Sequence, residues 1–78
     1  MPVKEAINTY GRGYDFITIA DKANHLWVRD ANGNWVAFET YGHIITDSQI
    51  SDMPVSAMRS YDDELMLAVD IDLCTIGA

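Results

Sequence analysis

The most constraining stretch of this chain is His25-Leu-Trp-Val-Arg-Asp-Ala-Asn-Gly-Asn-Trp-Val-Ala-Phe-Glu39, where two short runs of β-branched and aromatic residues flank an Asn-Gly. This arrangement is a strong short-range hairpin signal. Register decides what the hairpin builds. A two-residue turn at Asn32-Gly33 pairs Asp30 with Trp35 and Leu26 with Glu39, mixing charge with apolar surface. A three-residue loop, Ala31-Asn32-Gly33 with Gly33 left-handed, pairs Val28 with Val36 and Leu26 with Phe38. A one-residue slip exchanges the two faces, so the register with one clean apolar face is expected, with Leu26, Val28, Val36 and Phe38 turned inward. His25, Trp27, Arg29, Trp35, Ala37 and Glu39 then share the second face, which the rest of the chain or a partner must cover.

Around this hairpin the chain reads as follows. Met1 to Tyr10 is expected to be a short helix, with Pro2 in its first turn, Glu5 near the positive end of its dipole and Gly11 closing it. Ala6, Ile7 and Tyr10 give it a narrow apolar stripe, and so short a helix must dock on something. Gly11-Arg12-Gly13 reads as a turn, because it lacks the spacing of either nucleotide-binding glycine fingerprint. Tyr14 to Ala20 is aromatic and β-branched, a strand signal. With His25–Asp30 and Asn34–Thr40 it makes an antiparallel meander, Ile17 and Ile19 joining the Leu26 layer and Phe16 and Thr18 the tryptophan side. Arg29 lies opposite Trp35 for a cation–π contact.

Beyond the Tyr41-Gly42 break, residues 43–46 are a short edge strand or connector and residues 47–52 a polar loop. Ser51 or Asp52 can cap a second helix over about residues 53–62, with Pro54 in its first turn and Val55, Met58 and Tyr61 at helical spacing. Leu65, Leu67, Val69, Ile71 and Leu73 alternate strictly with Met66, Ala68, Asp70 and Asp72, so this stretch is read as a strand. The competing reading is a helix that begins near Ser60 and the Asp62-Asp63-Glu64 cluster. The expected fold is therefore α+β: a single domain over 1–78, with a small antiparallel sheet (the three-stranded meander plus the C-terminal strand) and two short helices.

At 78 residues a chain buries only about 60–65% of its unfolded surface. No segment approaches 18 consecutive apolar residues, and no basic-then-apolar leader opens the chain, so a cytoplasmic protein with no membrane span is expected. The single Cys74 excludes an internal disulfide and suits a reducing compartment. The net charge is −7, and all of that excess lies in residues 39–78, where Arg59 is the only cation. Such a field repels nucleic acid and favours encounter with basic surfaces.

No constellation in the sequence carries an enzymatic signature. Asp30, Asn32 and Asn34 match the opening of a calcium loop, but Trp35 and Tyr41 stand where that loop needs glycine and glutamate. His25, His43 and Cys74 lack the paired short spacing of a zinc site, and Asp70-x-Asp72 suits solvent or edge protection better than magnesium. A cysteine–histidine nucleophile requires Cys74 beside His25 or His43 in a cleft, with a lowered pKa. No metal, cofactor or catalytic residue is expected.

Two surfaces remain. The first is the acidic set Asp47, Asp52, Asp62, Asp63, Glu64, Asp70 and Asp72, which can imitate a phosphate backbone and occupy a protein's nucleic-acid groove. The second is the aromatic sheet face of Trp27, Arg29 and Trp35, whose residue types are enriched in binding hot spots. Its competing reading is a core beneath one of the helices. In length, acidity and lack of catalytic signature the chain resembles the small phage-encoded inhibitors of bacterial defence complexes, anti-CRISPR proteins among them. It shares no motif with them, and the resemblance transfers no site residue. The expected function is a non-enzymatic inhibitor of a basic nucleic-acid-handling protein or complex, itself binding no nucleic acid. The alternative is an antitoxin- or immunity-type interaction module acting through the aromatic face, as monomer or homodimer.

Overall fold

The computed structural model describes residues 1–39 and 43–76. Helix α1 (Val3–Tyr10) is followed by strands β1 (Phe16–Ala20), β2 (Leu26–Arg29), β3 (Asn34–Ala37) and β4 (Ile44–Thr46). Next come a one-turn helix α2 (Asp47–Ile50), strands β5 (Val55–Tyr61) and β6 (Glu64–Val69), and a 3-10 turn (Leu73–Thr75). The strands form one sheet in the order β4-β3-β2-β1-β6-β5. All pairings are antiparallel except β1 with β6, which run parallel with Ile17 opposite Leu65 and Ile19 opposite Leu67.

This corrects the expected α+β fold with its small antiparallel sheet. The chain is mostly β, a six-stranded mixed sheet, and α1 is the only helix longer than one turn among the described residues. Residues 53–62 are not a helix. They hold edge strand β5, which pairs with β6 across the Asp62-Asp63 turn, where Asp62 adopts φ +41°. Both sides of β5 are largely exposed, so its sequence lacks the alternation of a half-buried strand, and the pairing offered by β6 decides its conformation. The polar 47–52 segment contains α2, whose Gln49 side chain accepts the Thr46 N–H at 2.9 Å. Residues 64–69 form a strand as read, ending short of Leu73 and parallel to β1 instead of antiparallel; apolar alternation is compatible with either direction. The expected strand end at Thr40 and the break at Tyr41-Gly42 lie outside the described residues.

The hairpin adopts the anticipated register. Val28 pairs with Val36 and Trp27 with Ala37, Gly33 has φ +81°, and Asp30 Oδ1 accepts the N–H groups of Asn32 and Asn34. Its two faces, however, are used the other way round. Trp27 and Trp35 are fully buried, together with Ile19, Ile45, Leu65, Leu67 and Val69, beneath Val3 and Ala6 of α1 and Ile50 of α2. Ile17 and Ile19 lie on this tryptophan side, and Phe16 and Thr18 on the other. Leu26, Val28, Val36 and Phe38 look away from the helix. The two indoles are the largest apolar groups of the hairpin, and each finds a carboxylate for its N–H. The polar residues of that face, His25 and Arg29, sit at strand ends where acidic partners meet them.

Helix α1 docks through Val3 and Ala6; of the expected stripe Ala6 is buried, Ile7 packs against the core and Tyr10 is about half exposed. Its first N–H groups, which have no partner within a helix, are satisfied by the chain: Val3 N donates to Met53 O and Lys4 N to Ser51 O. Gly11 ends the helix, and a Cβ there would lie 2.5 Å from the Ile7 carbonyl oxygen.

The two faces should respond differently to mutation. Trp27→Ala is expected to cost about 3–5 kcal/mol in urea denaturation, whereas Val36→Thr on the opposite face should cost less than about 1 kcal/mol. Equal losses would mean that the opposite face is also core.

Candidate functional site

The buried side of the sheet is organised by two indole–carboxylate pairs. Trp35 Nε1 donates to Asp47 Oδ1 at 2.9 Å, and Asp47 Oδ2 accepts from Arg29 Nη2 at 2.7 Å. Arg29 thus meets a carboxylate in place of the anticipated cation–π role, and the three groups close one end of the core. At the other end, Trp27 Nε1 donates to Asp21 Oδ2 at 3.1 Å. The rings of His43 and Trp27 pack in a T-shaped arrangement, with centroids 6.0 Å apart.

Asp21 is almost wholly buried and accepts four N–H groups. Oδ1 takes Ala23 N and His25 N at 3.0 and 2.8 Å; Oδ2 takes Trp27 Nε1 and Leu73 N at 3.1 and 3.2 Å. Burial alone would raise its pKa, but these donors, with the nearby His25 ring, outweigh burial and hold the carboxyl below its ordinary value. The same bonds bring the 3-10 turn onto the β1–β2 loop. Cys74 Sγ lies 3.5 Å from His25 Nδ1, and Asp72 Oδ1 accepts Cys74 N–H at 3.1 Å. Ligand atoms of Asp21, His25, Asp72 and Cys74 all lie within 4.8 Å of one another.

The cysteine and histidine sought in the sequence do meet, but not as an activated nucleophile. Burial and the charges of Asp72 and Asp21 push the Cys74 thiol above its ordinary pKa, the opposite of what a thiolate needs. Sulfur and Asp21 also approach the same ring nitrogen, so His25 does not relay between them.

The acidic set is divided by the fold. Asp62 and Asp63 are exposed in the β5–β6 turn, and Glu64 follows on the open sheet face, accepting Thr18 Oγ1 at 2.8 Å. Register brings exposed Asp15 to the same end, and Asp15 and Asp30 line one depression there. Asp47 is engaged with Trp35 and Arg29, while Asp52 pairs with Lys4 at 3.1 Å. Asp70 and Asp72 lie at the opposite end, past the end of β6, with Asp72 capping the 3-10 turn. Sequence reading missed Asp15 and Asp30 because their grouping depends on which strand ends align. It missed the Asp21 cluster because two short spacings, Asp21-x3-His25 and Asp72-x-Cys74, meet only in three dimensions.

Trp27 and Trp35 are interior, so the sheet's exposed aromatic surface is on its other side. Phe16, Phe38, Ile44 and Tyr61 are each about half exposed. Between them lie half-buried Leu26, Val28, Val36 and Met66. Strand register places Arg59 and Glu64 among the residues of this face, one charge of each sign.

No family model, curated protein or solved structure matches this chain. No helix among the described residues is long and apolar enough to cross a membrane.

Because Asp21 has a depressed pKa in the folded state, the stability it contributes is present above the ordinary carboxylate pKa of about 4 and is lost as pH falls through its lower folded value. Asp21→Asn leaves some of the four donors unmatched and should cost about 1–3 kcal/mol at pH 7. Urea midpoints measured from pH 7 to pH 2 should show the variant losing less stability on acidification than the wild type.

Proposed function

We propose that this protein is a non-enzymatic binding module. Its open sheet face docks on a partner protein, and its carboxylates steer it to a basic one. The observation that carries this reading is the one-sided cover of the sheet: α1 lies over one face, while the other presents Phe16, Phe38, Ile44 and Tyr61 to solvent. Exposed apolar patches of this kind, rimmed by polar groups, are a mark of protein interaction sites.

The size of the face supports this use. Six strands about 4.8 Å apart span roughly 25–29 Å, and five residues of strand add about 17 Å. That is a patch of roughly 400–500 Å², about half of the roughly 800 Å² per partner of a standard complex, and the acidic rims add to it. Charge selects the occupant. Asp15, Asp30, Asp62 and Asp63 fringe one end of the sheet and Asp70 and Asp72 the other, while the net charge is −7. Two copies brought face to face would repel through these rims, whereas an apolar patch ringed by lysine and arginine would be attracted. Proteins that handle nucleic acid carry such basic surfaces. The module is accordingly an inhibitor that covers one of them.

Two variants test the reading in a salt series of affinity captures, with the captured protein assayed for nucleic-acid binding. Phe38→Asp should abolish capture at every salt concentration. Asp62→Lys with Asp63→Lys should slow association by about tenfold or more at low salt and matter little at high salt. The wild type should release nucleic acid from the captured partner. A partner held equally by Phe38→Asp would remove the face from the account, and a wild type that light scattering shows to be a homodimer through this face would replace the basic partner with a second copy.

A further inference from the structure

We propose that His25 Nδ1, Cys74 Sγ and an Asp72 carboxylate oxygen form a zinc site. This inference is independent of the binding function above. Three features of the cluster lead to it.

The first is spacing. Zn–N of about 2.0–2.1 Å and Zn–S of about 2.3 Å at a tetrahedral angle place nitrogen and sulfur about 3.5 Å apart. Cys74 Sγ and His25 Nδ1 stand 3.5 Å apart, and the Asp72 carboxylate falls within the same 4.8 Å group.

The second is the chemistry of one nitrogen. Nδ1 offers a single in-plane position, either a lone pair or an N–H, yet Cys74 Sγ at 3.5 Å and Asp21 Oδ2 at 3.4 Å both approach it. Each Asp21 oxygen already accepts two N–H groups, which use its lone pairs. A lone pair on Nδ1 then faces the Cys74 sulfur. A cation there serves nitrogen, sulfur and the Asp72 carboxylate together.

The third is support. Asp21 accepts the N–H groups of His25 and Leu73, so it fixes both ligand-bearing segments, and it adds negative charge beside the cation. Imidazole with thiolate selects zinc over magnesium or calcium, which favour all-oxygen sites. On binding, the Cys74 S–H bond breaks, a Zn–S bond forms and the proton passes to solvent. Water would take the fourth position. The ion would tie the 3-10 turn to the β1–β2 loop, coupling zinc to stability at the end of the sheet opposite Asp62.

The test uses the full chain with Zn²⁺ or Co²⁺ as the probe. Co²⁺ should give a thiolate-to-cobalt charge-transfer band at one ion per chain, displaced by Zn²⁺, and Zn²⁺ should raise Tm. Cys74→Ser should abolish the band, and both it and His25→Gln should weaken zinc binding by at least about tenfold. Asp52→Asn should leave affinity unchanged. If wild type shows no thiolate band, or Cys74→Ser binds zinc as tightly as wild type, the pair is a hydrogen bond only and the site is refuted. The wild-type spectrum decides this even if a variant fails to fold.

Discussion

The carboxylate of Asp21 is the group on which the arrangement of this sheet most depends. Its four hydrogen bonds join the end of β1, the start of β2, the buried Trp27 indole and the backbone of the 3-10 turn. A buried charge is tolerated only when donors replace the water it has lost, and here they come from three parts of the chain. At the other end of the core the part-exposed Asp47 accepts from both Trp35 and Arg29. Each indole therefore brings its full apolar area into the interior without leaving its N–H unmatched. Among the described residues no buried side-chain nitrogen or oxygen is left without a partner.

That economy determines what is left outside. With α1 and α2 covering the tryptophan side, the second face of the sheet has no cover from the described residues and shows solvent a surface of Phe, Ile, Leu and Val. The excess negative charge is kept off that surface and placed in the turns at its ends. Apolar centre and charged rim are the division of labour found in protein interfaces, where the centre supplies affinity and the rim sets encounter rate and partner choice.

Much of the local structure was legible in the sequence. The three-residue hairpin loop, its register and the left-handed Gly33 follow from turn chemistry and side-chain pairing, both of which act within fifteen residues. The Leu65–Val69 alternation likewise announces a strand. What failed was information that is not local. Which hairpin face is interior depended on whether carboxylates elsewhere would meet the indole N–H groups, and Asp21 and Asp47 are not marked as such in the sequence. The 53–62 stretch has helical spacing of Val55, Met58 and Tyr61, yet an edge strand takes its conformation from its neighbour's hydrogen bonds rather than from its own pattern. The acidic residues were visible as a group, but their division between the two ends followed only from strand order.

The parallel pairing of β1 with β6 has a consequence for how the molecule assembles. Thr18 and Met66 are neighbours in the sheet but 48 positions apart in the chain, so the pairing at the sheet's centre closes a long loop. The β1–β2–β3 meander involves only short loops and can form early, but until β6 arrives β1 is an uncovered edge beside Ile17 and Ile19. Loop-closure entropy makes that joining step late and slow. A chain whose meander forms before β6 joins presents that strand edge in addition to the open face, and the β5–β6 hairpin is the internal cap that ends this exposure.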